Sequence, residues 1–66
     1  MIHVNDRSYP YRSGMCLLEV LAMDNVDIHG AVLITRNGSL VRKDSYGETV
    51  LSDEDEILVI RVSTGG

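Results

Sequence analysis

The sequence has little or none of several residues that mark other classes of small protein. Its 66 residues include no Trp, no Phe, one Cys and one Pro. A single cysteine cannot form an internal disulfide, and a small domain without disulfides is typical of a reducing compartment, so we expect a cytoplasmic protein. Without Trp or Phe, the core must be mainly aliphatic, and the 44% hydrophobic content is enough to form one such core.

Long apolar runs and clusters of basic residues are also missing. No apolar stretch reaches the roughly 18 residues needed to span a membrane, and "MIHVNDRSYP" lacks the basic and apolar segments of a signal peptide. Ten acidic and six basic residues give a net charge of −4, which argues against binding to nucleic acid phosphates. We therefore expect no membrane or nucleic-acid partner. The acidic balance suits a basic protein partner, or serves only solubility.

No set of side chains in the sequence suggests catalysis or metal binding. His3 and His29 are the only histidines, and no H-x-x-x-H, C-x-x-C or glycine-rich phosphate loop occurs. We interpret Cys16 as a small hydrophobic residue of a helix rather than a nucleophile. The acidic run from Asp53 to Glu56 is interpreted as a solvated turn rather than a metal site, although it could also meet a basic partner. We therefore predict no catalytic residue and no metal ligand.

The N-terminal residues predict a β-hairpin. Ile2 and Val4 alternate with polar residues, "NDRS" has turn chemistry, and Tyr9 and Tyr11 resume the alternation. Pro10 cannot donate a hydrogen bond to a sheet, so the second strand should be short or lie at an edge.

The next segment, "SGMCLLEVLAMDN", predicts an amphipathic helix of about three turns. Ser13 is placed as its N-cap and Asn25 as its stop. The apolar positions recur at intervals of three and four residues. They are Met15, Leu17, Leu18, Leu21 and Ala22.

The C-terminal half predicts further strands. Residues 31–35 form a strand, Asn37-Gly38 predicts a tight hairpin turn, and Leu40 begins the return strand. The segment "RKDSYGE" is polar and irregular, and an acidic turn over residues 52–55 leads to a last strand over residues 57–62. The predicted order is ββαββ with one more strand at the end.

The last strand, "ILVI", is apolar at every position, so both of its faces should be covered. One helix can cover only one face of a sheet. If Ile57 and Val59 face the helix, then Leu58, Ile60 and Val62 lie on the outside, where an apolar patch usually marks a partner-binding site.

This arrangement resembles the ubiquitin-like β-grasp fold, and specifically the sulfur carrier proteins of thiamine biosynthesis (ThiS type). The resemblance rests on "ITRNGSLVRKDSY" and "TVLSDEDEILVIRVSTGG". It implies an α+β fold with a mixed sheet of four to five strands packed on one helix. One departure is the turn Asp53-Glu54-Asp55, where the family usually has Asp-Gly-Asp, so its geometry is left open. The small subunit of molybdopterin synthase is related, but it is usually longer and often has a Pro near its tail.

The resemblance also implies the chemistry of the terminal glycines. We expect a β-grasp domain over residues 1–62 and a flexible tail over residues 63–66, ending in Gly65 and Gly66. The Gly66 carboxylate would be adenylated by a partner of the ubiquitin-activating type (ThiF type) and converted to a thiocarboxylate. A thiazole synthase (ThiG type) would then receive the sulfur. The carrier would be a monomer when free and would bind no cofactor itself, because the activating partner uses the ATP and magnesium.

Three other functions remain open from the sequence. The same carrier chemistry could serve molybdopterin or another pathway. A ubiquitin-like modifier would use the same adenylate but end in an isopeptide bond to lysine. A β-grasp binding module would have glycines that serve only as a tail.

Overall fold

The computed structural model describes residues 1–62 of the chain. Five strands and one helix occur in these residues: β1 (Ile2–Val4), β2 (Arg7–Tyr9), α1 (Leu17–Met23), β3 (Val32–Arg36), β4 (Ser39–Val41) and β5 (Glu56–Arg61). A 3₁₀ turn spans Lys43–Ser45. The predicted order of elements and the α+β class are confirmed.

The five strands form one mixed sheet in the order β2-β1-β5-β3-β4. The last strand, β5, is central: it pairs in parallel with β1 and antiparallel with β3. The two edge strands, β2 and β4, have three residues each. Pro10 directly follows β2, so the prediction of a short strand at an edge is confirmed. A mixed sheet packed on one helix is the ubiquitin-like β-grasp fold that was predicted.

One face of the sheet packs with α1 into the core. Ile2 and Val4 of β1, Ile34 of β3 and Ile57 of β5 are buried on this inner face. The complete buried cluster is Ile2, Val4, Met15, Leu17, Val20, Leu21, Ile34, Tyr46, Leu51, Ile57 and Val59. This core is aliphatic apart from Tyr46, whose burial raises the pKa of its phenol. The polar segment "RKDSYGE" therefore contributes one core side chain that its composition did not indicate.

The helix is shorter than predicted and begins later. Its N-cap is Cys16 rather than Ser13, and its seven residues make about two turns rather than three. The reason is Gly14, whose φ of +84° is incompatible with a right-handed helix through residues 13–16. The Glu19 carboxylate accepts a hydrogen bond from the Cys16 N–H at 3.0 Å, which satisfies one donor at the helix start. Asn25 has a φ of +56° just beyond the C-cap, which agrees with the predicted stop.

The buried face of the helix is narrower than predicted. Leu17 and Leu21 face the core as predicted, together with Val20, whereas Leu18 and Ala22 are exposed, contrary to the prediction. Cys16 is half-buried and forms an isolated antiparallel β-bridge with Val50. It was predicted to lie within the helix, but it is the N-cap.

Within residues 1–62, none of the helical structure has the length and apolar character that a membrane crossing requires.

Candidate functional site

The outer face of the sheet, opposite α1, carries a contiguous group of apolar side chains. The division of β5 is clear in its exposed fractions: Ile57 and Val59 are 2% and 9% exposed, whereas Leu58 and Ile60 are 48% and 40% exposed. Val62 follows the strand and is also exposed, and its N–H donates to the carbonyl of Ala31 at 2.8 Å. The three residues predicted for the outside of the last strand therefore lie where the alternation placed them.

Strand pairing adds Leu33 and Leu40 to this group, which the sequence analysis did not select. Leu33 of β3 is paired with Ile60 of β5. Leu40 of β4 is paired with Thr35 of β3, which is in turn paired with Leu58 of β5. Side chains of directly paired residues share a face, so Leu33 and Leu40 extend the apolar surface away from β5. We call this group the outer patch: Leu33, Leu40, Leu58, Ile60 and Val62, all exposed. The Asn37-Gly38 turn sets the register of β3 and β4, so it indicates that Leu33 and Leu40 share a face, but it does not place that face beside β5.

The Asn37-Gly38 turn that joins β3 and β4 has the predicted geometry. Both residues have positive φ, +50° and +86°, as the tight hairpin turn requires. The Asn37 side chain also reaches β5: its Oδ1 accepts a hydrogen bond from the Glu56 N–H at 2.9 Å, and its Nδ2 donates to Asp55 at 3.0 Å. The hairpin is thereby fixed to the start of the central strand.

Asp55 is the main correction to the interpretation of the acidic turn. Asp55 was predicted to be solvated, but it is only 5% exposed. Its carboxylate accepts hydrogen bonds from the Ser52 N–H at 2.8 Å and from the Arg36 Nε at 2.8 Å, in addition to the one from Asn37. Burial alone would raise the pKa of Asp55, but these donors outweigh it and hold the pKa below its ordinary value. Asp55 is thus a buried, charged residue that joins Ser52, Arg36 and Asn37 directly before β5 and stabilises the fold.

The other acidic residues of the turn bind the start of the chain. The Met1 amine lies 2.6 Å from an oxygen of Asp53, and the Glu54 carboxylate lies 2.8 Å from His3 Nε2. These contacts lower the pKa of Asp53, chiefly through its hydrogen bond with the amine, and that of Glu54, chiefly through its hydrogen bond with His3. All four groups are exposed, so each contact stabilises the fold only slightly.

Glu54 adopts the backbone conformation that favours glycine. Its φ is +68°, in the left-handed region, at the position where the resembled family usually has glycine. The turn geometry that was left open is therefore the glycine-like one, and a residue with a Cβ adopts it at an energetic cost of about 1 kcal/mol.

The remaining candidate residues are His29 and the two terminal glycines. Among residues 1–62, no three His, Cys, Asp or Glu side chains come together as metal ligands. His29 is exposed, and its backbone N–H donates a hydrogen bond to the Asp27 carboxylate in the loop before β3. Gly65 and Gly66, the residues with the predicted chemistry, lie outside the described residues. What the structure describes is thus the exposed apolar face of the strand that leads to them.

The chain is similar to known proteins both in sequence and in fold. The model of the ThiS family matches residues 2–66, and a search of curated proteins found no match. Among solved structures, the chain is similar to the crystal structure of a thiamine biosynthesis protein (ThiS) from Geobacter metallireducens, with a TM-score of 0.77, 19% identity, and coverage of 98% of this chain and 97% of that one. It is also similar to a solution NMR structure of a thiamine biosynthesis protein from the same organism, with a TM-score of 0.73, 19% identity, and coverage of 98% and 86%.

Proposed function

Since the chain belongs to the ThiS family, we propose that it is the sulfur carrier of thiamine biosynthesis and that Gly66 carries the sulfur as a thiocarboxylate. The observation that supports this most strongly is the match of the family model over residues 2–66, which includes both terminal glycines. The carrier is then a substrate of its partner enzymes and not itself a catalyst.

The chemistry begins at the Gly66 carboxylate, which is a poor acyl donor because its leaving group would be an oxide. An oxygen of this carboxylate attacks the α-phosphate of ATP, and pyrophosphate leaves. The product is an acyl adenylate. Hydrosulfide attacks its acyl carbon, the bond from that carbon to the AMP oxygen breaks, and AMP leaves, so that the C-terminus becomes a thiocarboxylate. A ThiF-type adenylating partner supplies the site for ATP and magnesium and stabilises the charge that develops during transfer. A ThiG-type synthase then accepts the sulfur for thiazole formation.

Glycine at positions 65 and 66 suits this reaction for a steric reason. A side chain there would crowd the in-line approach of the carboxylate to phosphorus, and glycine lets the backbone enter a narrow channel. Four extended residues span about 13 to 14 Å, at roughly 3.3 to 3.6 Å each, which is enough for the segment after Val62 to reach a buried site.

The outer patch is the docking surface in this proposal. Leu58 and Ile60 lie on β5, the strand that precedes the tail in the sequence. A partner bound to them therefore fixes the point from which the tail begins. Apolar side chains that are desolvated at an interface contribute most of the affinity, and the exposed group on the outer face provides them.

The test is pyrophosphate release from ATP by the purified adenylating partner. We expect release to depend on the wild-type chain and to be lost when Gly66 is deleted. Equal release with the deleted chain would contradict the proposal. Transfer of the chain to lysines of other proteins, with no thiocarboxylate, would instead make it a protein modifier.

A further inference from the structure

A depression lined by both polar and apolar side chains borders the outer patch where β5 begins. Thr35, Asn37, Glu56 and Leu58 line it, so it shares Leu58 with the patch. Glu56 precedes the buried Ile57 and therefore faces outward with Leu58, and its register partner on β1 is His3. A protein that covers the outer patch would also cover this depression.

Among the four carboxylates of the acidic run from Asp53 to Glu56, that of Glu56 has no partner within residues 1–62. Within residues 1–62, Asp53 pairs with the Met1 amine, Glu54 with His3, and Asp55 with Arg36, whereas the Glu56 side chain has neither an ion pair nor a hydrogen bond. Its backbone is held on both sides by Asn37, through the Asn37 Oδ1 contact described above and an Asn37 N–H to Glu56 carbonyl hydrogen bond of 2.8 Å. The charge is therefore unpaired, and the backbone that carries it is held in place by Asn37.

Within residues 1–62, the basic residues on the two strands paired with the start of β5, His3 and Arg36, are engaged elsewhere. His3, the register partner of Glu56, is hydrogen-bonded by Nε2 to Glu54 and by Nδ1 to Ser8 at 3.1 Å. Arg36 is bound to Asp55 on the inner side of the turn. If an apolar surface covered the depression, the Glu56 carboxylate would lose water without gaining a partner, which is costly.

We propose that the depression receives an arginine or lysine side chain of the adenylating partner, which pairs with Glu56 while its apolar stem lies along Leu58. The inference rests on the function proposed above and adds the chemistry of the partner: an apolar surface with one cation at the edge that meets the start of β5. A long side chain with a charged end matches an apolar surface beside a carboxylate. Charge complementarity of this kind fixes the register of an interface and raises the rate of association.

The experiment measures the dissociation constant for the purified adenylating partner by titration calorimetry, with full-length chains. Glu56→Gln keeps the size of the side chain and removes its charge, and Glu56→Lys reverses the charge. Glu48→Gln is the matched control, because Glu48 is also an exposed glutamate without an ion pair within residues 1–62, in the loop that packs near α1. Thermal unfolding of each variant confirms that the fold is retained.

We expect Glu56→Gln to weaken binding about tenfold, Glu56→Lys to weaken it further, and Glu48→Gln to have little effect. Raising the salt concentration from about 0.05 M to about 0.5 M should weaken wild-type binding more than that of Glu56→Gln. Wild-type affinity for Glu56→Gln, or equal losses for Glu56→Gln and Glu48→Gln, would overturn the inference. A wild-type chain that dimerises through this face, with Glu56→Lys changing the dimer, would also overturn it, since the occupant would be a second copy.

The binding measurement separates this inference from the function on which it rests. If the wild-type chain binds the partner but is not adenylated, the proposed function fails whatever the Glu56 variants do. If it is adenylated and Glu56→Gln binds normally, only the Glu56 inference fails.

Discussion

Replacing Asp55 by alanine should destabilise the fold strongly, although the residue lies in a turn. Its carboxylate accepts hydrogen bonds from Ser52, Asn37 and Arg36, at 2.8, 3.0 and 2.8 Å. The substitution leaves three donors without an acceptor. It also removes the side-chain contacts of Asp55 with the β3–β4 hairpin, while the contacts of Asn37 with the Glu56 backbone remain.

The magnitude follows from burial. Removing one partner of a buried ion pair costs about 3 to 5 kcal/mol. The Arg36 side chain is 31% exposed and can regain water, so we expect the loss for Asp55→Ala to be about 2 to 3 kcal/mol. Asp55→Asn keeps one oxygen that can accept and should cost about 1 to 2 kcal/mol. Asp44→Ala is the control: its carboxylate lies 3.7 Å from Arg42 in an exposed pair, and its removal should change stability by no more than about 0.5 kcal/mol.

Urea unfolding followed by far-ultraviolet circular dichroism measures these differences at neutral pH and in acid. Because the folded-state pKa of Asp55 is lowered from 3.8, its contribution is complete above that value and is lost as the pH falls through the lower folded pKa. The stability gap between wild type and Asp55→Asn should therefore be constant from about pH 5 to about pH 8 and narrow below pH 3.8. An Asp55→Ala variant within about 0.5 kcal/mol of wild type at neutral pH would refute the reasoning.

Three further predictions concern the turn, the outer patch and the tail. The free energy of unfolding of Glu54→Gly should be about 1 kcal/mol larger than that of Glu54→Ala, because both variants lose the side-chain contacts but only glycine adopts the positive φ without strain. Equal stability of the two variants in urea would exclude strain at this residue. Leu58→Asp should retain the fold and weaken binding to the adenylating partner in calorimetry at least tenfold, whereas Ile57→Asp should unfold the domain, and the reverse result would invert the faces of β5. Gly65→Val should change the melting temperature little but slow pyrophosphate release on the order of a hundredfold, and an unchanged rate would mean that no narrow channel surrounds the tail.

The parts of the fold that could be predicted from the sequence are those fixed by local chemistry. Asn37-Gly38 specifies a tight hairpin because both residues tolerate positive φ, and the structure has that turn. The alternation along the last strand predicted which of its residues face the helix, and the structure buries Ile57 and Val59 and exposes Leu58 and Ile60.

The errors lie where long-range contacts or backbone geometry override the pattern. The predicted helix begins too early because Met15 fits the apolar spacing and Ser13 is a favourable N-cap, whereas the positive φ of Gly14 does not show in a pattern of side chains. Asp55 appeared to be one more acid in a solvated turn, since its partners Arg36 and Asn37 are distant in sequence. The same separation kept Leu33 and Leu40 out of the predicted binding surface, because only strand pairing places them beside β5.

The central claim is tested most directly by the intact mass of the chain after incubation with the adenylating partner, ATP, magnesium and a sulfur source. Replacement of one oxygen of the Gly66 carboxylate by sulfur adds about 16 Da, and fragmentation should place the added mass on the C-terminal residue. We expect this gain in the wild-type chain and its absence when Gly66 is deleted or ATP is omitted. An unchanged mass in the complete reaction, or a gain that persists without Gly66, would contradict the account.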